Sequence, residues 1–255
     1  MSSIVDDRGY NQGYKASKSV EIRTERRCDY IISRLELKGS GSASILEIGC
    51  GTGKHSYLLA KKTGKHFLGT DICGPFIEEA RARYSLPNLE YKQLDFNSRG
   101  DVMKVLNGLT FDYIVGDGIL HHLYDNLDNS LININKLLSP GGKIVFLEPN
   151  FYNPYCLLIF NIGVFRKLAK LEPGEMTFTP GFITKKLKNA GFSGVNIDFR
   201  DFLVPGIPDC MINPAIAVGN VIEKLPLMNR LSQSIFISAV KQQTSPVLKE
   251  PGSRP

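Results

Sequence analysis

Apolar residues along this chain fall into two periods, and their alternation sketches a fold before any chemistry is considered. Short apolar runs read as strands: Ile45-Leu46-Glu47-Ile48, His66-Phe67-Leu68-Gly69-Thr70, Leu89-Glu90-Tyr91-Lys92-Gln93-Leu94 and Phe111-Asp112-Tyr113-Ile114-Val115-Gly116. A fifth strand follows the turn Ser139-Pro140-Gly141-Gly142 and runs through Ile144-Val145-Phe146-Leu147 to Glu148-Pro149. Between them lie stretches with helical spacing. Pro75 opens one whose apolar face is Phe76, Ile77, Ala80 and Tyr84, and Leu127, Leu131, Ile134 and Leu138 mark another. A first helix is predicted over about Lys18 to Leu37, with Ser40-Gly41-Ser42 leading into the first strand. Further on, Thr179-Pro180 opens a helix carrying Ile183 and Leu187, Val195, Ile197 and Phe199 alternate as a strand, and Ser234 to Val240 closes the sheet. Strands alternating with amphipathic helices predict a parallel sheet covered on both faces. At the two ends the pattern lapses: residues 1–17, which include Tyr10 and Tyr14, are expected to be a flexible lid or tail, and 242–255, with three prolines, a disordered tail.

One segment carries more chemistry than the rest. Ile45-Leu46-Glu47-Ile48 runs into Gly49-Cys50-Gly51-Thr52-Gly53, three glycines spaced one residue apart. Glycines there remove Cβ atoms where a strand turns into a helix, so the main chain can press against a flat ligand while exposed amides hydrogen-bond to it. The dinucleotide fingerprint of dehydrogenases places its third glycine one residue later, where this chain has Lys54. Glu47 argues the same way, because a carboxylate repels a diphosphate and attracts a ligand carrying an ammonium and a sulfonium.

The segment resembles the first motif of the class I S-adenosylmethionine-dependent methyltransferases, and the later elements follow in that family's order over roughly residues 44–150. The resemblance implies an α/β fold, a doubly wound seven-stranded sheet that is mostly parallel with an antiparallel last strand and has helices on both faces. It implies S-adenosyl-L-methionine as cofactor, S-adenosyl-L-homocysteine as product, and no metal. By resemblance, Glu47, Gly49, Cys50, Gly51 and Gly53 line the cofactor site. Asp71 and Ile72 follow the second strand at the ribose position, Asp95 and Phe96 follow the third at the adenine position, and Asp117 opens the segment Asp117-Gly118-Ile119-Leu120-His121-His122-Leu123 after the fourth. One domain is expected over 18–241, with insertions at about 151–179 and 202–231 that in this family build the acceptor pocket. The amino-terminal segment of such enzymes often folds over the bound cofactor.

Methyl displacement releases a neutral leaving group, so a base is needed only where the acceptor must lose a proton. Candidates at the strand ends are His121, His122 and Glu148; a histidine titrates near working pH, while the alternative is that the pair orients its loop by hydrogen bonds. No Asn-Pro-Pro-Tyr-like segment follows strand four and no Pro-Cys pair occurs, which removes the residues of the DNA amine and cytosine routes. Both insertions are rich in large aliphatic groups, from Pro154 to Leu168 and from Phe202 to Leu225. That composition points to a small, hydrophobic or lipid-like acceptor methylated on oxygen or carbon rather than nitrogen, with peripheral membrane contact through basic faces near Lys167, Lys170 and Lys185. Packing of the insertions on each other or against a second copy is the competing use of the same residues.

Composition changes the picture little. The chain has 255 residues, 42% of them hydrophobic, which suffices for one large domain. Its five cysteines form no CxxC pair and no cysteine–histidine cluster, so reduced thiols and a cytoplasmic protein are expected rather than a zinc site or disulfides. The formal charge of +6 is scattered without aromatic interleaving, and no nucleic-acid partner is expected. The polar start predicts no secretory signal, and the longest apolar stretch falls short of the about 20 residues that cross a bilayer. The alternatives are an RNA methyltransferase and a methyltransferase-like binding partner without catalysis. Oligomeric state is left open.

Overall fold

The structure, a computed structural model, describes residues 17–37, 42–171 and 174–242. The readings made for residues 1–16, including Tyr10 and Tyr14, for Ser40 and Gly41, and for the tail beyond Gln242 lie outside the described residues.

Helix α1 (Lys18–Arg34) starts where the Ser17 hydroxyl accepts from the Val20 amide, three residues short of the predicted end at its other terminus. Alternation then follows: β1 (Ser44–Ile48), α2 (Lys54–Thr63), β2 (His66–Asp71), α3 (Gly74–Arg83), β3 (Leu89–Gln93), α4 (Arg99–Val105), β4 (Phe111–Asp117), a 3-10 helix (Leu120–Asn126), α5 (Leu127–Leu137) and β5 (Leu138–Pro149). The remainder comprises α6 (Pro154–Asn161), α7 (Gly163–Leu168), α8 (Pro180–Asn189), β6 (Phe192–Arg200), α9 (Asp209–Ile222), a short 3-10 turn (Met228–Leu231) and β7 (Ser234–Lys241). Caps fall where their residue types predict: Thr179 accepts from Phe182 ahead of Pro180, and Asn153 accepts from Cys156 ahead of α6.

Among the described residues the strands form one seven-stranded sheet in the order β3-β2-β1-β4-β5-β7-β6. β1 to β5 pair in parallel, whereas β7 runs antiparallel to β5 on one side and β6 on the other. The last strand in sequence is therefore interior, and β6 forms the edge.

Pleating sorts the strand residues into two cores. Leu46, Ile48, Ile114, Ile144 and Phe146 join the core that contains Val102 of α4, Leu131 and Ile134 of α5 and Ile183 and Leu187 of α8. Their neighbours Ile45, Val115, Val145 and Leu147 join the other, with Cys28 and Ile31 of α1, Leu59 of α2 and Ile77 of α3. Both faces being covered, the strands read as continuous apolar runs, and each fully buried aliphatic side chain contributes roughly 1.5–3 kcal/mol.

The same pleat explains an unusual clamp. Asp117, two residues past Val115, points to the α1 side, where Arg27 Nη1 donates to its Oδ1 at 2.5 Å. Arg27 Nε donates to Asp201 Oδ2 at 2.9 Å, Arg23 Nε to the same oxygen at 2.6 Å, and Arg27 Nη2 to Ser234 Oγ at 2.6 Å. One half-buried helix face thus ties together the ends of β4, β6 and β7. Asp201 adopts φ +75°, a conformation strained for a residue with a side chain, and is only 3% exposed.

Asp201→Ala should lower the unfolding free energy by about 3–5 kcal/mol, because two guanidinium groups then lose a buried acceptor; a loss below about 1 kcal/mol in urea titration would contradict the clamp. Burial alone would raise the Asp201 carboxyl, but Arg27 and then Arg23 outweigh it and hold its pKa below the usual carboxylate range. Its stabilisation is therefore complete above the unfolded pKa of about 4 and lost as pH falls through the depressed folded value. Acid titration of the wild type against Asp201→Ala should show the difference closing only in that acid window.

Candidate active site

The glycine segment forms the turn from β1 into α2, and its glycines are not equivalent. A Cβ on Gly53 (φ +85°) would lie 2.6 Å from Ala80 Cβ and 2.8 Å from the Tyr91 hydroxyl, so this position must stay bare for α2 to meet α3 and β3. At Gly51 (φ +53°) a Cβ would meet nothing within 4 Å, and the loop there is open on the side of the strand ends.

Expected donors of the loop are spent internally. The amides of Gly49 and Cys50 both donate to Thr70 O, at 2.8 and 2.9 Å, the Gly51 amide donates to Asp71 Oδ2 at 2.9 Å, and the Gly53 amide to Cys50 O at 3.0 Å. The loop is held in shape by the end of β2, which corrects the reading of those four amides as exposed ligand donors. Glu47 also stands elsewhere than expected. Two residues beyond Ile45 on the same face of β1, it points beneath α2, is 1% exposed, and accepts from Ser56 Oγ and, at 2.5 Å, from His55 Nδ1. Burial pulls the His55 pKa down, but the Glu47 carboxylate, with Cys28 beside it, outweighs this and holds it well above the ordinary range. Glu47 braces the start of α2 instead of facing a ligand ammonium.

Asp71 sits where expected, at the carboxyl end of β2. Its Oδ2 takes the Gly51 amide and its Oδ1 the Cys73 amide at 2.9 Å. Ile72 beside it is half-buried and presents an apolar side chain. Asp95, half-buried after β3, accepts the Asn97 amide at 2.8 Å in a local turn. Phe96 is corrected: it is 4% exposed and belongs to the core with Val102 and Leu106, so only its main chain is available to a ligand. Asp117 is engaged by Arg27.

Across the ends of β4 and β5 lies a second cluster. Glu148 is 1% exposed and accepts four hydrogen bonds: from the amides of Ile119 (3.1 Å), Leu120 (2.7 Å) and His121 (3.3 Å), and from His121 Nδ1 at 2.7 Å. So engaged, it orients His121 and is not itself a free base, which corrects its candidacy. With Nδ1 facing Glu148, the other ring nitrogen, Nε2, is the one turned toward Glu175. His122 is half-buried beside it, ring centroids 4.2 Å apart, and Phe160 of α6 meets the His121 ring edge-on at 6.0 Å.

A residue the sequence reading missed completes the cluster. Glu175, 6% exposed in the segment between α7 and α8, lies 3.9 Å from His121 Nε2 and 3.6 Å from His122 Nδ1. Its signal in the sequence was slight: it is one of two acids, with Glu172, in an insertion whose other charged residues are basic. One donor atom from each of His121, His122 and Glu175 falls within 4.8 Å of the others, the donor chemistry of a divalent-cation site, with Glu148 behind His121. A cation and a proton cannot share the Nε2 lone pair, so the two uses of this cluster exclude each other.

A cavity of about 290 Å³ lined by Asp112, Tyr113, Gly141 and Lys143 opens at the opposite, amino-terminal ends of β4 and β5. Ligands of open α/β sheets bind at the carboxyl ends, which places the chemistry with the glycine turn and the histidines.

Comparison with known proteins bears on the domain and the fold. Residues 46–144 match a family model described as a methyltransferase domain. Among curated proteins, lovastatin diketide synthase mokB of Monascus pilosus is 31% identical over 170 residues, covering 62% of this chain and 6% of that protein. The chain spans only a small part of the length of the curated relatives it matches. Among solved structures, the CurJ carbon methyltransferase aligns with a TM-score of 0.61 at 21% identity over 91% of this chain and 57% of that one. An S-adenosylmethionine-dependent methyltransferase from Archaeoglobus fulgidus gives 0.59 at 22% identity over 87% and 94%. Residues 46–144 are thus similar to a methyltransferase domain, and the fold is one shared with solved S-adenosylmethionine-dependent methyltransferases.

Asp71→Ala should weaken S-adenosylhomocysteine binding by about 1.5–3 kcal/mol in calorimetry, through loss of a charge-assisted bond; unchanged affinity would remove Asp71 from the site. Zinc and a chelator provide the second check. If the histidine cluster handles protons, neither should move the melting temperature, whereas a native-state cation would raise it by mass action and its removal would lower it.

Proposed function

We propose that this methyltransferase domain transfers a methyl group to carbon or oxygen of a small acceptor bearing an apolar chain, with His121 as the base. The observation that carries the reading is the Glu148–His121 pair at the ends of β5 and β4: a buried carboxylate fixes the imidazole by Nδ1, with Phe160 packed edge-to-face against the same ring.

The residues present fit the cofactor. Space over Gly51 and the carboxylate of Asp71, with Ile72 beside it, suit a nucleoside with a ribose diol and a flat base. Bound there, S-adenosylmethionine supplies a methyl group on a positively charged sulfur. What this chain adds is orientation and proton handling. An acceptor C–H or O–H placed against His121 would give its proton to Nε2, freeing the electron pair that takes the methyl group as the methyl–sulfur bond breaks and sulfur keeps that bond's pair, and Glu148 would offset the positive charge that the imidazole gains. Phe160 and the rest of α6 exclude water from that nitrogen. Glu175 completes the polar wall opposite the Glu148 side of the His121 ring.

Names of similar proteins support the acceptor class. One is a carbon methyltransferase and others are polyketide synthases, whose products are built from acyl chains. A carbon flanked by carbonyls is acidic enough for an imidazole to deprotonate, which suits the base proposed here. Membership in a larger assembly, as in those synthases, is a proposal of the same kind.

Radiolabelled methyl transfer to β-ketoacyl thioesters and long-chain phenols, against glycine and an RNA transcript, tests the acceptor. Turnover confined to the polar set would overturn it. With an accepted substrate in hand, His121→Ala should lower kcat by roughly 100-fold or more while S-adenosylhomocysteine affinity holds, and the wild-type acidic limb of the pH profile should vanish in the variant. Retained turnover would return His121 to a purely structural part.

A further inference from the structure

Helices α6 and α7 bury almost nothing of what they carry. Within Pro154–Asn161 only Cys156 is buried, and within Gly163–Leu168 no residue is. Leu157, Leu158, Val164, Phe165 and Leu168 all face outward, Leu168 with 74% of its surface exposed. Apolar residues scattered singly over a surface are ordinary, but a consecutive set on two adjoining helices is not.

A second stretch extends this face. Asn153 Nδ2 donates to Leu231 O at 2.6 Å and Asn150 Nδ2 to Arg230 O at 2.7 Å, which fixes the segment before β7 against the base of α6. That segment exposes Leu227 at 72%. The hairpin is well braced, since Arg166 Nη1 donates to Phe160 O at 2.7 Å and to Glu175 O at 2.9 Å. These exposed side chains therefore belong to an ordered surface.

Charge selects the occupant. From Phe151 to Leu171 the chain holds Arg166, Lys167 and Lys170 and no acid, and 224–231 adds Lys224 and Arg230, again without an acid. Glu223 alongside is 8% exposed and paired with Arg200 at 3.0 Å. Contact with a second copy through this face would set cations against cations across a two-fold axis. A bilayer with anionic headgroups satisfies both features at once, taking up the aliphatic groups and attracting the basic ones. The inner side of the same helix holds Phe160 against His121, so a path from lipid to base crosses a single helix.

We propose that the outer face of α6 and α7, continued by residues 224–231, docks on anionic membrane surfaces, from which the apolar acceptor enters the site. Delivery of the acceptor rests on the proposed function, whereas docking does not.

Sedimentation of the full chain with phosphatidylcholine vesicles, with and without phosphatidylserine, and without cofactor or acceptor, reads docking directly. Binding is expected with the anionic vesicles, weakened by raised salt, about five-fold weaker for each of Lys167→Ala and Lys224→Ala, and lost in Leu158→Asp/Leu168→Asp while melting temperature and S-adenosylhomocysteine affinity stay unchanged. No sedimentation with either vesicle, or binding indifferent to the leucine substitutions, overturns the proposal. So does a dimer in light scattering that those substitutions dissolve, or their loss of capture by an acidic protein in place of vesicles. Vesicle binding together with methylation of polar acceptors alone would leave docking standing and remove the apolar acceptor; the reverse result would remove docking alone.

Discussion

Three carboxylates taken out of water at strand ends govern how this molecule is put together. Glu47 and Glu148 are each 1% exposed and Asp201 is 3% exposed, and an uncompensated buried charge would cost several kcal/mol. Each is answered by donors from another element. His55 and Ser56 at the start of α2 meet Glu47, three amides and an imidazole from the turn after β4 meet Glu148, and two guanidinium groups of α1 meet Asp201. In each case the acid is fixed by the sheet and the partner by a loop or helix that would otherwise be free to move. Satisfying the charge is what positions the loops, and the candidate site is where two of those loops face each other.

That arrangement sets the boundary between what the sequence discloses and what it conceals. The doubly wound sheet was legible, because Ile45 to Ile48 or Ile144 to Leu147 can be apolar throughout only when both faces are covered. The start of α8 was legible for a local reason, since Thr179 precedes Pro180 and caps the helix. The place of β7 between β5 and β6 was not, since antiparallel order at a sheet end leaves no mark in periodicity. Within the site, Asp71 announced itself by following a strand. Glu47 misled, because whether a residue at a strand end faces the ligand or the covering helix depends on pleat parity, and its partners eight and nine residues on read as ordinary members of α2. Arg23 and Asp201 pair across 178 residues, a separation that no single-sequence pattern bridges.

Glu148 shows how a strand-end acid can change its part without changing its place. Read from the sequence it is a base candidate; in the fold its oxygens accept four hydrogen bonds, and its basicity is spent on holding the turn and the His121 ring. The consequence is transmitted one residue outward. Nδ1 being held by Glu148, Nε2 is the ring nitrogen left toward Glu175, and both Glu175 and Phe160, which meets the same ring, come from the insertion after β5.

The insertion therefore does two things with one short stretch of chain. Its inward side chains decide what surrounds the histidine, and its outward ones decide what the molecule touches. These demands conflict if the helices pack on the core, because a helix apolar all round is normally buried all round. Here α6 and α7 are braced through main-chain acceptors at Phe160, Glu175, Arg230 and Leu231 instead of through a buried apolar face. Bracing by polar side chains from beneath leaves the aliphatic residues with no structural duty on the outside, and a surface that the fold does not need for its own stability is one that can be given over to contact with something else.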